Sequence, residues 1–300
     1  MLAAMHKSLQ FRFFVAMAMV LGLSSVVCAQ GRGDQQNQPA PAAPNLVKIK
    51  DDLFLIENSD VTPEALRYWG GNVTVFTTGE GTILIDAKYA RAHDQVVAKV
   101  KAVTDKPIKY LILTHNHGDH SEGAQQLEAM GATVIISADD RDNMSRAPNP
   151  AWLPALTYIG QSKLFLGGKE IQLLQFRGHT RGDTVVYFPA HRVIVLGDLL
   201  TTNPLMPPIV NYGDGGSWTD WTKSIDDILK MDFEIAIPGH GPMVNKNQVV
   251  EIRNKFVAIQ QRVRALNREK KNQEEIAATL MKEFNWAPAN NIPGMIQELR

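Results

Sequence analysis

The chain has 300 residues, with 31 Lys and Arg, 31 Asp and Glu, 8 His and one Cys, and 44% of its residues are hydrophobic. This length and composition fit a globular protein with a sizeable core and one or two domains. The balanced charge argues against a nucleic-acid-binding protein, and a single cysteine excludes both an internal disulfide and a cysteine-based zinc finger.

The beginning of the chain has the pattern of an export signal. Lys7 and Arg12 precede a short apolar run, which is followed by small residues that end at Ala29. A transmembrane helix needs about 20 apolar residues, and this run is shorter. We therefore predict a cleavable signal peptide over residues 1–29, and hence a secreted or periplasmic protein with no membrane contact after cleavage. Acylation at Cys28, as in a lipoprotein, and an uncleaved anchor are the alternatives.

The rest of the chain divides by composition into three parts. Residues 30–45 are rich in Gln, Pro and Ala and lack apolar periodicity, which predicts a disordered linker. Residues 46–245 alternate apolar runs with turn residues, as expected of one folded domain. Residues 246–300 begin with an apolar repeat of helical period, which predicts a C-terminal helical extension.

Short apolar runs bounded by turn residues predict strands at residues 47–57, 72–77, 82–86, 109–113, 133–137, 170–176, 184–188, 192–196 and 234–237. Apolar residues at helical spacing predict helices at residues 92–103, 121–130, 218–231 and 247–271. The strands occur both in hairpins and in strand–helix–strand units. This order predicts an α/β protein with mixed sheets and helices packed outside them.

Histidine and aspartate residues cluster where the predicted strands end. The run at residues 115–120 places three His and one Asp directly after a buried strand, on a glycine-containing loop that opens a helix. Three more such residues follow other strands beside glycines: His179, Asp198 and His240. One such His alone would be typical of a structural residue, but scattered structural residues do not collect at strand ends in this way. Because zinc binds imidazole and carboxylate in proteins, the set predicts a metal site.

The run His-x-His-x-Asp-His, followed in order by His179, Asp198 and His240, resembles the metallo-β-lactamase superfamily of metallohydrolases. The resemblance covers about residues 46–244 and implies an αββα sandwich, in which two mixed sheets are flanked by helices. It also implies two zinc ions, for which iron or manganese can substitute. The resemblance implies that the first zinc is bound by His115, His117 and His179. It implies that the second zinc is bound by Asp119, His120 and His240, and that Asp198 binds both ions.

Two zinc ions in such a site share a hydroxide that attacks the substrate, since they lower the pKa of the parent water to about 7. Asp119 is the predicted catalytic residue, because its second oxygen can orient the nucleophile or accept its proton. Three further residues are candidates for bracing the metal ligands through hydrogen bonds: Asp86, Thr180 and Asp183.

Two stretches, residues 142–160 and 201–221, are rich in aromatic residues and Met and poor in predicted regular structure. Their positions next to the predicted site indicate covers or walls of a substrate pocket, and packing against the outer helices is the alternative. The predicted pocket residues are Trp152, Tyr158, Met206, Tyr212 and Trp218. His93 and His191 are expected to lie on the surface.

These features predict a secreted zinc hydrolase that cleaves an ester, lactone, amide or β-lactam bond in a small-molecule substrate. β-Lactamases of the superfamily usually carry Cys or Ser at the position of Asp198, which argues against a dedicated antibiotic hydrolase. Hydrolysis of a phosphodiester or sulfate ester at the same metals is an alternative, because the nucleophile is identical. A non-catalytic metal-binding protein that retains the fold is the alternative from another functional class.

Overall fold

The computed structural model describes residues 40–148, 150–288 and 290–300. The predicted signal peptide at residues 1–29 lies outside these residues, as does most of the predicted linker at residues 30–45. In the part of the chain that the structure describes, every helix is too short or too polar to cross a membrane.

The last residues of the predicted linker are attached to the folded part. The carbonyl oxygen of Ala42 accepts hydrogen bonds from Trp69 Nε1 at 3.0 Å and from Ser59 Oγ at 3.1 Å. The first strand begins at Asn45. The folded part therefore starts a few residues before the predicted boundary at residue 46.

The first sheet contains seven strands in sequence order. They are β1 (Asn45–Lys50), β2 (Leu53–Glu57), β3 (Val73–Thr77), β4 (Thr82–Ile85), β5 (Ile108–Ile112), β6 (Thr133–Ser137) and β7 (Leu156–Tyr158). Neighbouring strands are antiparallel from β1 to β4 and parallel from β4 to β7. The parallel strands end at one common edge, where the following loops can bring polar side chains together.

The second sheet contains six strands in the order β13-β12-β11-β10-β9-β8. They are β8 (Gln161–Leu166), β9 (Lys169–Phe176), β10 (Asp183–Phe188), β11 (Val193–Thr201), β12 (Ile235–His240) and β13 (Val244–Asn245). Only β11 and β12 pair in parallel within this sheet, so these two strands end at the same edge.

The helices lie between and after the strands. They are α1 (Pro63–Trp69), α2 (His93–Lys101), α3 (Gly118–Ser121), α4 (Ala124–Ala129), α5 (Ala138–Ser145), α6 (Trp218–Ile228), α7 (Lys246–Arg268), α8 (Gln273–Phe284) and α9 (Ile292–Glu298). The predicted helix at residues 121–130 is thus shorter and broken, and the segment at residues 142–160 contains regular structure that had no predicted counterpart.

Three apolar cores define the layers. Residues of both sheets, among them Ile85 and Phe188, fill the core between the sheets. Helices α2 and α4 pack outside the first sheet, where Leu127 is buried. Helices α6 to α9 pack outside the second sheet around Trp218 and Phe256. This arrangement is the αββα sandwich that the resemblance implied.

Two differences from the predicted strands have simple physical causes. The segment predicted as one strand at residues 47–57 is the hairpin of β1 and β2, in which Lys50 pairs with Leu53 across the turn. The edge strands β7 and β8, which follow one another in the chain and belong to different sheets, were not predicted. β7 has three residues, and four of the six side chains of β8 are exposed, so neither strand has the apolar alternation on which strand prediction depends.

Candidate metal centre

Seven His and Asp side chains come together where strands of both sheets end. The loop after β5 carries residues 115–120, and His179 lies in the loop between β9 and β10. Asp198 lies within β11, and His240 is the last residue of β12. The donor atoms form two groups, and within each group they lie within 4.8 Å of one another. The groups are His115, His117, His179 and Asp198, and Asp119, His120 and His240.

The strand that carries Asp198 continues beyond its predicted end at residue 196 and is kinked. Gly197 has a φ of +51°, and a Cβ atom there would lie 2.6 Å from Thr114 Oγ1. A Cβ atom at Gly239 in the neighbouring strand would overlap with Asp198 Oδ1. Glycine at these two positions lets β11 and β12 approach the loop after β5, which brings Asp198 between the two groups.

The first group is built from three imidazoles and one carboxylate. His117 Nδ1 lies 2.9 Å from His179 Nε2. Oδ2 of Asp198 lies 3.7 Å from His179 Nε2 and 4.0 Å from His115 Nε2. These four donor atoms therefore face a common point.

The second group lies on the other side of Asp198. His240 Nε2 is 3.0 Å from Asp119 Oδ2 and 3.1 Å from His120 Nε2. Oδ1 of Asp198 lies 3.4 Å from His120 Nε2 and 3.6 Å from His240 Nε2. The two oxygens of Asp198 thus face different groups.

The arrangement of the donor atoms suits bound metal ions better than hydrogen bonds among the side chains themselves. His115 Nε2 and Asp198 Oδ1 are buried and have no hydrogen-bond partner among the described residues. A buried polar atom without a partner costs about 1–3 kcal/mol, and a bound cation removes that cost. Ligands that lie about 2.0–2.2 Å from one zinc ion are separated from one another by about 3–3.6 Å, close to the distances observed here. Imidazole and carboxylate without thiolate form a donor set suited to zinc and similar divalent metals.

The protonation of the histidines bears on metal binding. Burial lowers the pKa of His115 far below its ordinary value and lowers that of His179 to about 4, so both rings are neutral at pH 7 and keep a lone pair for a metal. Burial also acts to lower the pKa of His120. The carboxylates of Asp119 and Asp198 outweigh this effect, and the pKa of His120 lies well above its ordinary value. Protons therefore compete with a metal more strongly at His120 than at His115.

Asp86 contacts the ring nitrogen of His120 that does not face the second group. Its Oδ2 atom lies 2.8 Å from His120 Nδ1. The same carboxylate accepts hydrogen bonds from the backbone N–H and the hydroxyl of Thr114, both at 2.7 Å. This contact fixes the ring of His120 with Nε2 directed at the second group.

Thr180 and Asp183 form a buried network beside the first group, together with Asp140 of α5. Thr180 Oγ1 lies 2.8 Å from Asp183 Oδ1 and 3.0 Å from Asp140 Oδ2. A hydroxyl group can donate to only one of these oxygens, so the other carboxyl group must itself carry a proton and donate. Burial raises the pKa of Asp183 well above its ordinary value and raises that of Asp140 to about 7. The network ties the loop that carries His179 to α5.

Asp214 was not among the predicted site residues, yet it contacts a metal-group histidine. Its Oδ2 atom lies 3.0 Å from His117 Nε2 and accepts hydrogen bonds from Asn211 Nδ2 at 2.8 Å and Asn116 Nδ2 at 3.1 Å. His117 therefore keeps Nδ1 for the first group. An Asp among three glycines in residues 211–216 was the sequence signal that could have indicated this role.

Lys88 is a second residue that the sequence did not indicate. Its ammonium group is fully buried and donates to Asn58 Oδ1 at 2.8 Å and to the carbonyl oxygen of Gly71 at 2.5 Å. The N–H of Gly71 donates in turn to the carbonyl oxygen of Asp119 at 2.9 Å. Burial lowers the pKa of Lys88 to about 7. Lys88 thus supports the backbone behind the second group.

Comparison with known proteins identifies the family. The family model described as the metallo-β-lactamase superfamily matches residues 66–240, which is more than half of the chain. The chain belongs to this superfamily. Its members are hydrolases, and the chain is accordingly a metal-dependent hydrolase by family.

Individual relatives within the superfamily are distant. The chain is 26% identical to the 2,4-dinitroanisole O-demethylase subunit alpha of Nocardioides sp. (strain JS1661), over 45% of the chain and 41% of that protein. It is 24% identical to the metallo-β-lactamase type 2 of Elizabethkingia meningoseptica, over 73% of the chain and 88% of that protein. It is 23% identical to the linear primary-alkylsulfatase of Pseudomonas sp. (strain ATCC 19151), over 57% of the chain and 42% of that protein. The chain thus spans less than half the length of the demethylase subunit and of the alkylsulfatase.

A solved structure has the same architecture. The metallo-β-lactamase from Pontibacter korlensis superposes on the chain with a TM-score of 0.62 at 19% identity, and the superposition covers 71% of the chain and 98% of that protein. This likeness shows the superfamily fold, with two mixed sheets flanked by helices.

One of the predicted pocket residues of this superfamily member lies in an apolar core and not at a pocket. Trp218 has no exposed surface, and its ring stacks on Phe256 with 5.1 Å between centroids. Its Nε1 donates to Asn291 Oδ1 at 3.0 Å. The expectation that Trp218 lines the substrate pocket was therefore wrong, because this side of α6 faces the C-terminal helices.

The other predicted pocket residues are partly buried. The hydroxyl of Tyr158 donates to Thr184 Oγ1, and that of Tyr212 donates to Glu298 Oε2, both at 2.9 Å. The indole of Trp152 in turn donates to Glu128, while Met206 contributes its carbonyl oxygen to a hydrogen bond from Thr201 Oγ1 at 2.6 Å. The place of these four side chains in a substrate pocket therefore stays a prediction.

The two histidines expected on the surface differ from each other. His93 is half-buried at the start of α2. His191 is mostly buried, lies 2.7 Å from Asp52 Oδ1 and packs edge-on against Phe76. His191 therefore links the β1–β2 hairpin to the second sheet, which the expectation of a surface position missed.

Proposed function

We propose that this superfamily member is an exported hydrolase that holds two zinc ions and cleaves a small ester, lactone, amide or β-lactam bond. The observation that carries the proposal is the position of Asp198, whose Oδ2 lies 3.7 Å from His179 Nε2 while its Oδ1 lies 3.4 Å from His120 Nε2. A carboxylate with one oxygen toward each group supports a pair of ions rather than a single one. The β-lactamase relative supports a carbonyl-type substrate.

Asp119 is the residue of this site that acts on the nucleophile. Zinc bound at these groups supplies Lewis acidity and lowers the pKa of a coordinated water to about 7. The side chain of Asp119 is 15% exposed, whereas that of Asp198 is 3% exposed, so Asp119 lies on the open side of the second group. Burial acts to raise the pKa of Asp119, but His120 and His240 outweigh this effect and hold it below its ordinary value. Asp119 therefore stays ionised and can orient a water molecule or accept its proton.

Hydrolysis of a sulfate ester is the second candidate. The alkylsulfatase relative supports it, although the similarity covers 57% of the chain and 42% of that protein. The same residues would act in both reactions, because a sulfate ester also needs an activated water and a polarised oxygen. Only the substrate pocket would differ.

A substrate panel on the purified mature protein tests the proposal. We expect about two zinc ions per chain by plasma mass spectrometry, and hydrolysis of at least one chromogenic ester, lactone, amide or β-lactam. His117→Ala should lower kcat/KM by at least about 100-fold and remove about one zinc ion per chain. The matched control is His93→Ala, which changes a histidine that belongs to neither metal group.

Each outcome of this panel has a distinct meaning. Full activity in His117→Ala would overturn the proposal. Turnover of an alkyl sulfate or a phosphodiester without turnover of carbonyl substrates would replace the proposal with the second candidate or its phosphodiester counterpart. Two bound zinc ions without any turnover would support a non-catalytic metal-binding protein.

Export is proposed from the sequence and needs its own test. When the full chain is expressed in a bacterial host, we expect the exported protein to begin at Gln30 and to lack acylation. Cys28→Ala should leave the mass of the exported protein unchanged. A lipid-modified product that starts at Cys28 would show that the chain is a lipoprotein.

A further inference from the structure

A small cavity of about 200 Å³ adjoins the second metal group. His240 forms part of its lining, and Gly241 and Pro242 continue the wall. Residues 57–61, at the end of β2 and in the loop to α1, form much of the remaining wall, together with Leu66, Asn72 and Asn203. His240 therefore belongs to both the second metal group and the cavity lining.

Most polar groups of the cavity lining are already paired within the protein. Asn58 Oδ1 accepts from Lys88 Nζ, and its amide nitrogen donates to the carbonyl oxygen of Gly70 at 2.9 Å. The amide nitrogen of Asn72 donates to the carbonyl oxygens of Pro238 and Gly241. These amides are therefore fixed by the fold and offer few free hydrogen bonds to a ligand.

Glu57 differs from these amides. Its carboxylate is half-buried at the end of β2 and makes no hydrogen bond within the part of the chain that the structure describes. Burial raises its pKa, and the charge of Lys88 offsets this only in part. A half-buried carboxylate that makes no hydrogen bond gains from a cation placed beside it.

The rest of the cavity lining suits a cation that carries methyl groups. Asp60 is exposed at the mouth and adds a second negative charge. Val61 and Leu66 supply apolar surface, and the side chain of Val61 is 53% exposed. The positive charge of Lys88 lies behind Asn58 and is fully buried. Charge complementarity therefore favours an ammonium group in the cavity and opposes a carboxylate.

We infer that this cavity binds an ammonium group of the substrate, so that the enzyme prefers esters or amides with a cationic substituent a few carbons from the scissile bond. The inference rests on the proposed hydrolytic function. It also makes the chain a poor match for substrates whose carboxylate lies next to the scissile bond, since Glu57 and Asp60 would repel that group.

Two esters of the same shape test this inference. We compare kcat/KM for 4-nitrophenyl 4-(trimethylammonio)butanoate with that for 4-nitrophenyl 5,5-dimethylhexanoate, in which carbon replaces the charged nitrogen. The zinc-loaded wild-type protein should prefer the cationic ester by at least about tenfold. A ratio near one with measurable turnover would overturn the inference and leave the proposed function intact. Absence of turnover of both esters would count against the proposed function for this substrate class.

Variants assign the preference to Glu57. Glu57→Gln should lower the ratio of the two kcat/KM values by at least about fivefold, and Glu57→Lys should lower it further. The ratio cancels losses that both esters share, such as lower metal content or partial unfolding. Glu80→Gln is the charge-matched control, because Glu80 is exposed in the turn between β3 and β4. An unchanged ratio in both Glu57 variants would overturn the inference.

Equilibrium binding tests the cavity without turnover. Butyltrimethylammonium chloride is titrated into the wild-type protein at constant ionic strength, with sodium chloride as the control, and binding is followed by calorimetry. We expect saturable binding that is at least about fivefold weaker in Glu57→Gln and unchanged in Glu80→Gln. Equal binding to all three proteins, or no binding to the wild type, would contradict the inference even if the esters were not hydrolysed.

Discussion

Two carboxylates orient the metal-group histidines through opposite ring nitrogens. Asp86 lies 2.8 Å from His120 Nδ1 and leaves Nε2 for the second group. Asp214 lies 3.0 Å from His117 Nε2 and leaves Nδ1 for the first group. A carboxylate that contacts one ring nitrogen therefore leaves the other nitrogen for the metal, which is Nε2 in His120 and Nδ1 in His117.

The contact of Asp214 predicts an effect on metal affinity. Asp214→Ala removes the acceptor that fixes the ring of His117, so we expect zinc to bind at least about tenfold more weakly. Asp214→Asn keeps an oxygen that can accept the same hydrogen bond and should restore part of this loss. Competition with a chromogenic chelator measures the affinity. Asp232→Asn, at an exposed partner of Arg192, is the control, and equal affinities in all variants would contradict the role of Asp214.

The pKa of Asp140 predicts a pH-dependent stability. Burial raises it from 3.8 to about 7, so the folded protein binds more protons than the unfolded chain between these pH values. The free energy of unfolding therefore falls as the pH rises from about 4 to about 7. Asp140→Asn abolishes this titration and can still donate to Thr180, so it should gain about 1–2 kcal/mol relative to wild type between pH 5 and pH 8. Urea denaturation at both pH values measures the difference, and a constant difference would refute the prediction.

The metal ligands were accessible to sequence reasoning, whereas their supporting residues were only partly so. The ligands from His115 to His120 are neighbours in the chain, and the others follow predicted strands and lie beside glycines. The contact between His117 and Asp214 joins residues 97 positions apart, and that between Lys88 and Gly71 depends on a loop path that no local pattern specifies. Side-chain partners of this kind follow from tertiary packing, so local periodicity does not reveal them.

At the scale of elements, the end of one helix caps the start of another. Both carboxylate oxygens of Glu298, on α9, accept hydrogen bonds at the N-terminus of α6. The donors are Ser217 Oγ, the backbone N–H groups of Trp218 and Thr219, and the hydroxyl of Tyr212. A negative charge at this position also complements the helix dipole. The cap thereby couples the last helix of the chain to the outer layer of the second sheet.

This cap predicts a loss of stability. Glu298→Ala leaves the α6 N-terminus and the Tyr212 hydroxyl without their acceptor, and we expect a loss of about 1–3 kcal/mol in the free energy of unfolding. Glu298→Gln keeps two acceptor lone pairs without the charge and should cost less. Urea denaturation measures both variants. Glu274→Ala, on α8, is the control, and an equally large loss there would argue against a specific cap.

The elements also show where pattern-based prediction fails. The periodicity of α6 predicted an amphipathic helix, and the helix is present from Trp218 to Ile228. The pattern does not specify what covers each face, so Trp218 was predicted at the pocket although the C-terminal helices bury it. The edge strands β7 and β8 were missed for the complementary reason, since exposed edges lack the buried face that produces alternation.

At the scale of the whole molecule, residues 246–300 share a core with the second sheet. Five apolar side chains of α7 are buried there: Val249, Phe256, Ile259, Val263 and Leu266. Burial of each contributes about 1.5–3 kcal/mol, and together they match the total stability of a typical domain, about 5–15 kcal/mol. A chain that ends at residue 245 should therefore lack a cooperative unfolding transition by circular dichroism. A soluble truncated protein with the unfolding midpoint of the full chain would show that the predicted domain at residues 46–245 is independent.

Metal removal should destabilise the whole molecule, and the effect should depend on pH. The metal groups hold two carboxylates and five imidazoles in a buried space, where a bound cation offsets the repulsion between the carboxylates. At a free zinc concentration of 1,000 times Kd, binding adds about 4 kcal/mol to the free energy of unfolding, which for a domain of this size raises Tm by about 10 °C.

The pKa values of His117 and His120 lie above their ordinary values, so protons displace zinc from these rings as the pH falls. The stabilisation by zinc is therefore present above these pKa values and is lost below them. Thermal unfolding with zinc and with a chelator should therefore differ by about 10 °C at pH 8 and by much less at pH 5. A difference of the same size at both pH values would mean that these histidines do not bind the metal.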